Sequence, residues 1–213
     1  MKTNILVLSI FFFALSASAA DKARKGEVSL IPGFELGLNF ANATVTSPTT
    51  NVSSRTGLIF GGNLEVGLTE NFFVQPGIRY IQKGAESVST VAGSTVTTAF
   101  NFDYLEFPVL AKAKLADGDF KPFAFFGPSF GVLLSANADS TANSRTTSTN
   151  ISSNTENTDF SLLFGVGGEY PLNKTMDLTA SIGFSLGLTD VNTTSVSWKN
   201  TGTQLLAGAK WNL

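Results

Sequence analysis

Leu58-Ile59-Phe60-Gly61-Gly62-Asn63-Leu64-Glu65-Val66-Gly67-Leu68 decides the fold class. Leu58, Phe60, Gly62, Leu64, Val66 and Leu68 share one parity, and Ile59, Gly61, Asn63, Glu65 and Gly67 share the other. Side chains repeat every two residues along a strand and about every 3.6 along a helix. Glycines at 61, 62 and 67 would weaken a helix by roughly 1 kcal/mol each. The stretch therefore reads as a strand with one apolar face and one small, polar face.

The same alternation recurs outward from this segment in both directions. It is found at residues 34–41, 74–81, 104–113, 159–166, 177–188 and 204–213. Residues 120–134 are apolar on both parities, and Ala124, Phe126, Phe130, Val132 and Leu134 are taken as their apolar face. That makes eight strands. Pro76, Pro108, Pro122 and Pro128 fall inside them, where a ring nitrogen cannot donate to a ladder. They mark strand starts, bulges or segments protruding beyond a bilayer.

Connections alternate strictly between short and long. Residues 69–71, 116–119 and 171–174 are tight. Residues 42–56, 85–98, 135–158 and 190–201 are long and rich in Ser, Thr and Asn. An up-and-down sheet inserted from one side of a membrane has this pattern, with short turns on one side and longer loops on the other. The polar face carries Gly, Ser, Asn and Gln with few charges: Glu35, Glu65, Glu106, Glu169 and Asp177 against Arg79, Lys112 and Lys210. A soluble sandwich would show many Lys and Glu there. Small residues and sparse charges of both signs suit instead the crowded lumen of an eight-stranded barrel. Closure removes the unpaired edges that hydrocarbon does not tolerate. The expected fold is all-β, an eight-stranded antiparallel up-and-down transmembrane β-barrel. Phe72, Phe73, Tyr80, Phe123, Tyr170 and Trp211 are expected near strand ends, as interface aromatics.

Composition agrees and excludes much else. The chain has 213 residues and a formal net charge of −2, with only 14% charged residues, so a nucleic-acid partner is not expected. It has no Cys and no His, which removes disulfides, Cys/His zinc sites and His-assisted nucleophiles. Lys2, the apolar run 5–15 and Ala17-Ser18-Ala19 read as a signal peptide, residues 1–19, leaving residues 20–213 as one barrel domain. The expected location is the bacterial outer membrane.

Four segments carry a resemblance. They are residues 75–84 (QPGIRYIQKG), 104–112 (YLEFPVLAK), Lys121-Pro122-Phe123 with Gly127-Pro128, and 187–191 (GLTDV). With them the chain resembles the outer-membrane β-barrel family common in Bacteroidetes, the porin-family or PorT-like proteins. The resemblance implies an eight-stranded barrel with both termini in the periplasm, and implies little about activity. Members of such families commonly end in an aromatic residue, whereas this chain ends Trp211-Asn212-Leu213.

Glu35, Glu65, Arg79, Glu106, Lys112, Glu169 and Lys210 are the candidate site residues, as structural charges paired inside the lumen. Glu65, Arg79 and Glu106, on three consecutive strands, form the expected cluster, and Arg79→Ala is expected to lower barrel stability. Glu106 and Lys112 are six residues apart on one strand, roughly 20 Å, so each needs a partner elsewhere. The expected role is structural or interactive, not enzymatic, with no cofactor and no metal. Outer-membrane lipid, the barrel-assembly machinery during insertion and an extracellular or envelope protein are the expected partners. A narrow transport channel and an accessory factor in envelope biogenesis or secretion are the alternatives. Residues 135–158 hold 17 Ser, Thr or Asn in 24 positions and are expected to form a hydrated, mobile, variable outer loop, with binding of a partner or attachment of glycans as the alternative.

Overall fold

The computed structural model describes residues 29–46, 52–91, 94–194 and 196–212, so the proposed signal peptide and Leu213 lie outside the described residues. Ten strands follow in chain order: β1 Leu30–Val45, β2 Val52–Ser53, β3 Arg55–Gly67, β4 Phe72–Val91, β5 Ser94–Lys114, β6 Lys121–Ala142, β7 Arg145–Asn150, β8 Thr158–Pro171, β9 Met176–Gly187 and β10 Trp198–Trp211. Eight of them close a ring, β1-β3-β4-β5-β6-β8-β9-β10, each antiparallel to its neighbours, with β10 returning to β1. These are the eight strands expected from the alternation. The short β2 and β7 pair onto the outer ends of β4 and β6.

Parity sets the two faces. Leu36, Leu58, Phe126, Phe164 and Ile182 point outward, and Leu36 is 55% exposed. Residues of the opposite parity, such as Ile59, Arg79, Glu106 and Leu163, are buried in the lumen. Residues 176–188 keep the outward apolar row over about 40 Å of strand at roughly 3.3 Å per residue. At the tilt of about 40° usual in such barrels, that row crosses about 30 Å, a hydrocarbon thickness. Phe72, Phe120, Tyr170 and Trp211 stand exposed at the short-turn end. Tyr80 lies on the same outward face and stacks on Phe60, with ring centroids 5.1 Å apart. Phe73 and Phe123 do not belong to that belt. They are 6% and 5% exposed and point inward, because each has the parity of its strand's lumen face.

The prolines sit where the ladders break. In the β4–β5 pair, Pro76 faces Val109 and the next matched pair is Arg79 with Glu106. In the β5–β6 pair, Pro108 faces Ser129 and the next is Ala111 with Phe126, so Pro128 falls in the gap. Pro122 is the second residue of β6.

Two expected loops are largely strand. Residues 85–98 continue β4 and β5 as a hairpin to Val91 and from Ser94. Residues 135–158 contain the rest of β6, a tight turn at Asn143 and Ser144 (φ 49° and 63°), β7 and a 3-10 turn at Ser152–Asn154. Positive φ at both central residues is the twist-matched hairpin geometry that Asn tolerates. Ser and Thr tracts were read as loop because strands in a bilayer need an apolar face. A ribbon standing in water does not, and β-branched Thr and Val favour it. A one-residue bulge at Leu134 shifts the β5–β6 register between Asp103 and Tyr104.

Gly84 lies just where β4 emerges. Its φ is +119°, and a Cβ there would fall 1.9 Å from the Phe100 carbonyl oxygen. Backbone strain alone would cost a larger residue roughly 1–3 kcal/mol. Gly84→Ala is therefore expected to lower the unfolding midpoint in detergent, and a midpoint equal to that of the parent would count against this geometry.

Candidate functional site

The lumen holds two layers of buried charge. One strand-to-strand row builds the outer layer: Glu35 faces Gly61, Gly61 faces Arg79, Arg79 faces Glu106, Glu106 faces Gly131, and Gly131 faces Asp159. The glycines leave room for the long side chains beside them; a Cβ on Gly61 would lie 2.4 Å from the Arg79 Cβ. Arg79 donates from Nε to Glu106 Oε2 at 2.8 Å and from Nη2 to Gln204 Oε1 at 3.1 Å. Its Nη1 lies 3.5 Å from Glu35 Oε1. Lys83 donates to Glu106 Oε1 at 2.7 Å and to Asp159 Oδ2 at 3.1 Å. Asp159 also accepts from Thr189 and Asn200, each at 3.1 Å.

The second layer lies toward the short turns. Lys112 donates to Glu65 and to Glu169, the latter at 2.5 Å. Lys210 donates to Glu65 Oε2 at 3.1 Å and lies 2.6 Å from Glu169 Oε2, close but not aligned as a hydrogen bond. Asp177, opposite Lys210 in the ladder, is 3.9 Å from its amine, and Lys114 is 3.6 Å from Glu169. Phe123 and Phe73 lie against Lys112 and Lys114 at 3.9 and 4.3 Å from ring centroid to nitrogen. Such contacts favour a desolvated cation. Two cations against three carboxylates form the outer layer, and three against three form the inner one. Between them a gap of about 40 Å³ remains, bordered by Glu35, Glu65, Arg79, Lys112 and Lys210.

All seven charges singled out in the sequence thus line the lumen, but not in the expected grouping. Arg79 and Glu106 do meet. Glu65 belongs to the other layer, with Lys112 and Lys210, because it sits four residues along β3 from the residue facing Arg79, roughly 13 Å away. Glu106 and Lys112 take separate partners, as their separation requires. Lys83, Asp159 and Lys114 were missing from the candidate set, and Asp177 was seen only as a polar-face charge. Lys83 has the parity of Arg79, so carrying the β4 alternation one turn of the pleat further would have found it.

Above the outer layer the lumen is apolar. Ile59, Ile81, Ala85, Phe102, Tyr104, Ala136, Val191 and Trp198 pack as one buried cluster at the mouth. Loop residue Asp190 ties it down by accepting the backbone N–H groups of Asn192 and Trp198 at 3.0 and 2.8 Å. Burial pushes the Asp190 carboxyl up, but these two donors, with the Ser197 hydroxyl and the Lys199 charge, hold it below the usual aspartate value.

A closed antiparallel ring with a lipid-compatible outside and a charge-filled inside defines a bacterial outer-membrane β-barrel. Residues 24–192 match the model of the family described as "Outer membrane protein beta-barrel domain", and the chain belongs to that family. Neisserial surface protein A has a similar solved structure, with a TM-score of 0.52 at 13% identity, covering 87% of this chain and 99% of that one. The outer membrane protein OprG of Pseudomonas aeruginosa aligns with a TM-score of 0.49 at 10% identity, over 86% and 94% of the two chains. The attachment invasion locus protein Ail of Yersinia pestis aligns at 0.41 and 10%, over 86% and 98%. None of the curated proteins matches this sequence.

Proposed function

We propose that the protein is a closed, non-conducting barrel with a structural or interaction role, presenting folded hairpins outside the cell. One observation carries this reading: two charge layers and an apolar cluster follow one another along the lumen, leaving about 40 Å³ between the layers. An eight-stranded barrel has an interior that side chains can fill. The buried carboxylates hold cations of the same layers, which supports a scaffold over acid–base catalysis. The seven candidate charges act as that scaffold, with Lys83, Lys114, Asp159 and Asp177 added. The β4–β5 and β6–β7 hairpins are the surface offered to an extracellular or envelope partner. We place the chain in the Bacteroidetes porin-family or PorT-like branch, on the motif at residues 104–112, with residues 1–19 as its signal peptide and residues 20–213 as its barrel domain. Purified monomers in planar bilayers are expected to give no conductance above the bare bilayer. Sustained unitary steps would overturn the closed-lumen reading.

A further inference from the structure

We propose that the gap at the outer mouth, between the 3-10 turn, the β9–β10 loop and β5, binds a small neutral molecule with one aromatic ring. Phe100, Phe102, Ile151, Val191 and Trp198 line a cavity of about 200 Å³, and Asn154, Thr155, Asn192 and Thr194 complete it. Protein interiors at native density leave few voids larger than a water molecule. An apolar cavity of about 150 Å³ stays dry and takes benzene. This one therefore fits a single ring with a small substituent.

The lining decides the chemistry. Phe100 and Phe102 stand 5.0 and 5.8 Å from the Trp198 ring, the second edge-on, so an added ring meets both faces and edges of its kind. No charged residue lines the cavity among those described, which disfavours an ionic ligand. Asn154 and Thr194 are exposed at the rim, so entry is from outside and one hydroxyl or carbonyl can be met there.

The walls are fixed before any ligand arrives. The Thr193 N–H donates to the Asn154 carbonyl at 3.1 Å, Glu156 to Val191 at 2.8 Å, Val191 to Trp198 at 2.9 Å and Ile151 to Ala136 at 2.9 Å. The first two of these bonds make Thr155 and Asn192 an antiparallel bridge between the two loops. Preorganised walls spare a ligand the ordering cost that weakens binding. Lys83, the cross-strand neighbour of Phe102, pairs with Asp159 at 3.1 Å, so the outer charge layer adjoins the cavity without lining it.

The test uses the refolded full barrel in lipid nanodiscs, with 4-fluorophenol followed by fluorine NMR. Saturable binding is expected. Ile151→Trp, which fills the cavity, should weaken it at least tenfold. Phe100→Ala, which widens it, should weaken 4-fluorophenol and strengthen 2-naphthol. Far-UV circular dichroism confirms that each variant is folded. Unsaturable partitioning that is equal for the parent and both variants would overturn the proposal, as would saturable binding that neither substitution alters.

Discussion

Arg79→Ala is expected to destabilise the folded barrel by roughly 3–5 kcal/mol, as removal of one partner from a buried charge pair does. The reason is the number of groups that depend on one guanidinium. Glu106 would keep Lys83, but Glu35 would lose its only cation partner among the described residues, and Gln204 Oε1 would lose its donor. The site offers little relief. Glu106 is fully buried, and the row position next to Arg79 is a glycine that cannot fill the space. Reversible urea unfolding in lipid vesicles measures this directly. An Arg79→Ala midpoint unchanged within error would mean that the outer layer is not held by these pairs.

Ile182→Arg attacks the other face. Ile182 is at the middle of the outward row on β9, flanked by Leu205 and Val166 on the neighbouring strands. All three point away from the lumen. A charged residue facing lipid near the bilayer midplane costs roughly 2–4 kcal/mol, less toward the interfaces. The same substitution at Leu188, at the end of the row, is expected to cost clearly less. Folding yields into vesicles and unfolding free energies of the two variants give the comparison. Equal costs at both positions would contradict a depth-dependent apolar surroundings.

The face assignment was legible because a bilayer imposes a simple rule on every strand. Each needs an unbroken apolar parity, and residues 177–188 display it without exception. The candidate charges were legible for the same reason, since parity alone sends Glu65, Arg79, Glu106 and Lys112 inward. Which charge meets which was not legible. Pairing depends on the stagger of one strand against the next, and that stagger is not written in any single strand. A displacement of four residues separates Glu65 from Arg79, and no local pattern encodes it. The outer hairpins were misread because they leave the bilayer, where the rule that exposed the others no longer applies. Phe73 and Phe123 were misread by residue type, when their parity already sent them inward against lysines.

The central claim is that the Leu and Phe rows meet acyl chains while ionic groups are enclosed. A lipid-soluble photoactivated carbene reagent, applied to the protein in bilayers and mapped by mass spectrometry, tests it without any mutation. Leu36, Phe60, Phe126, Phe164 and Ile182 should be labelled, while Ile59, Ile81 and Leu163, equally apolar but enclosed, should be spared. Labelling of the second group with sparing of the first would contradict the account.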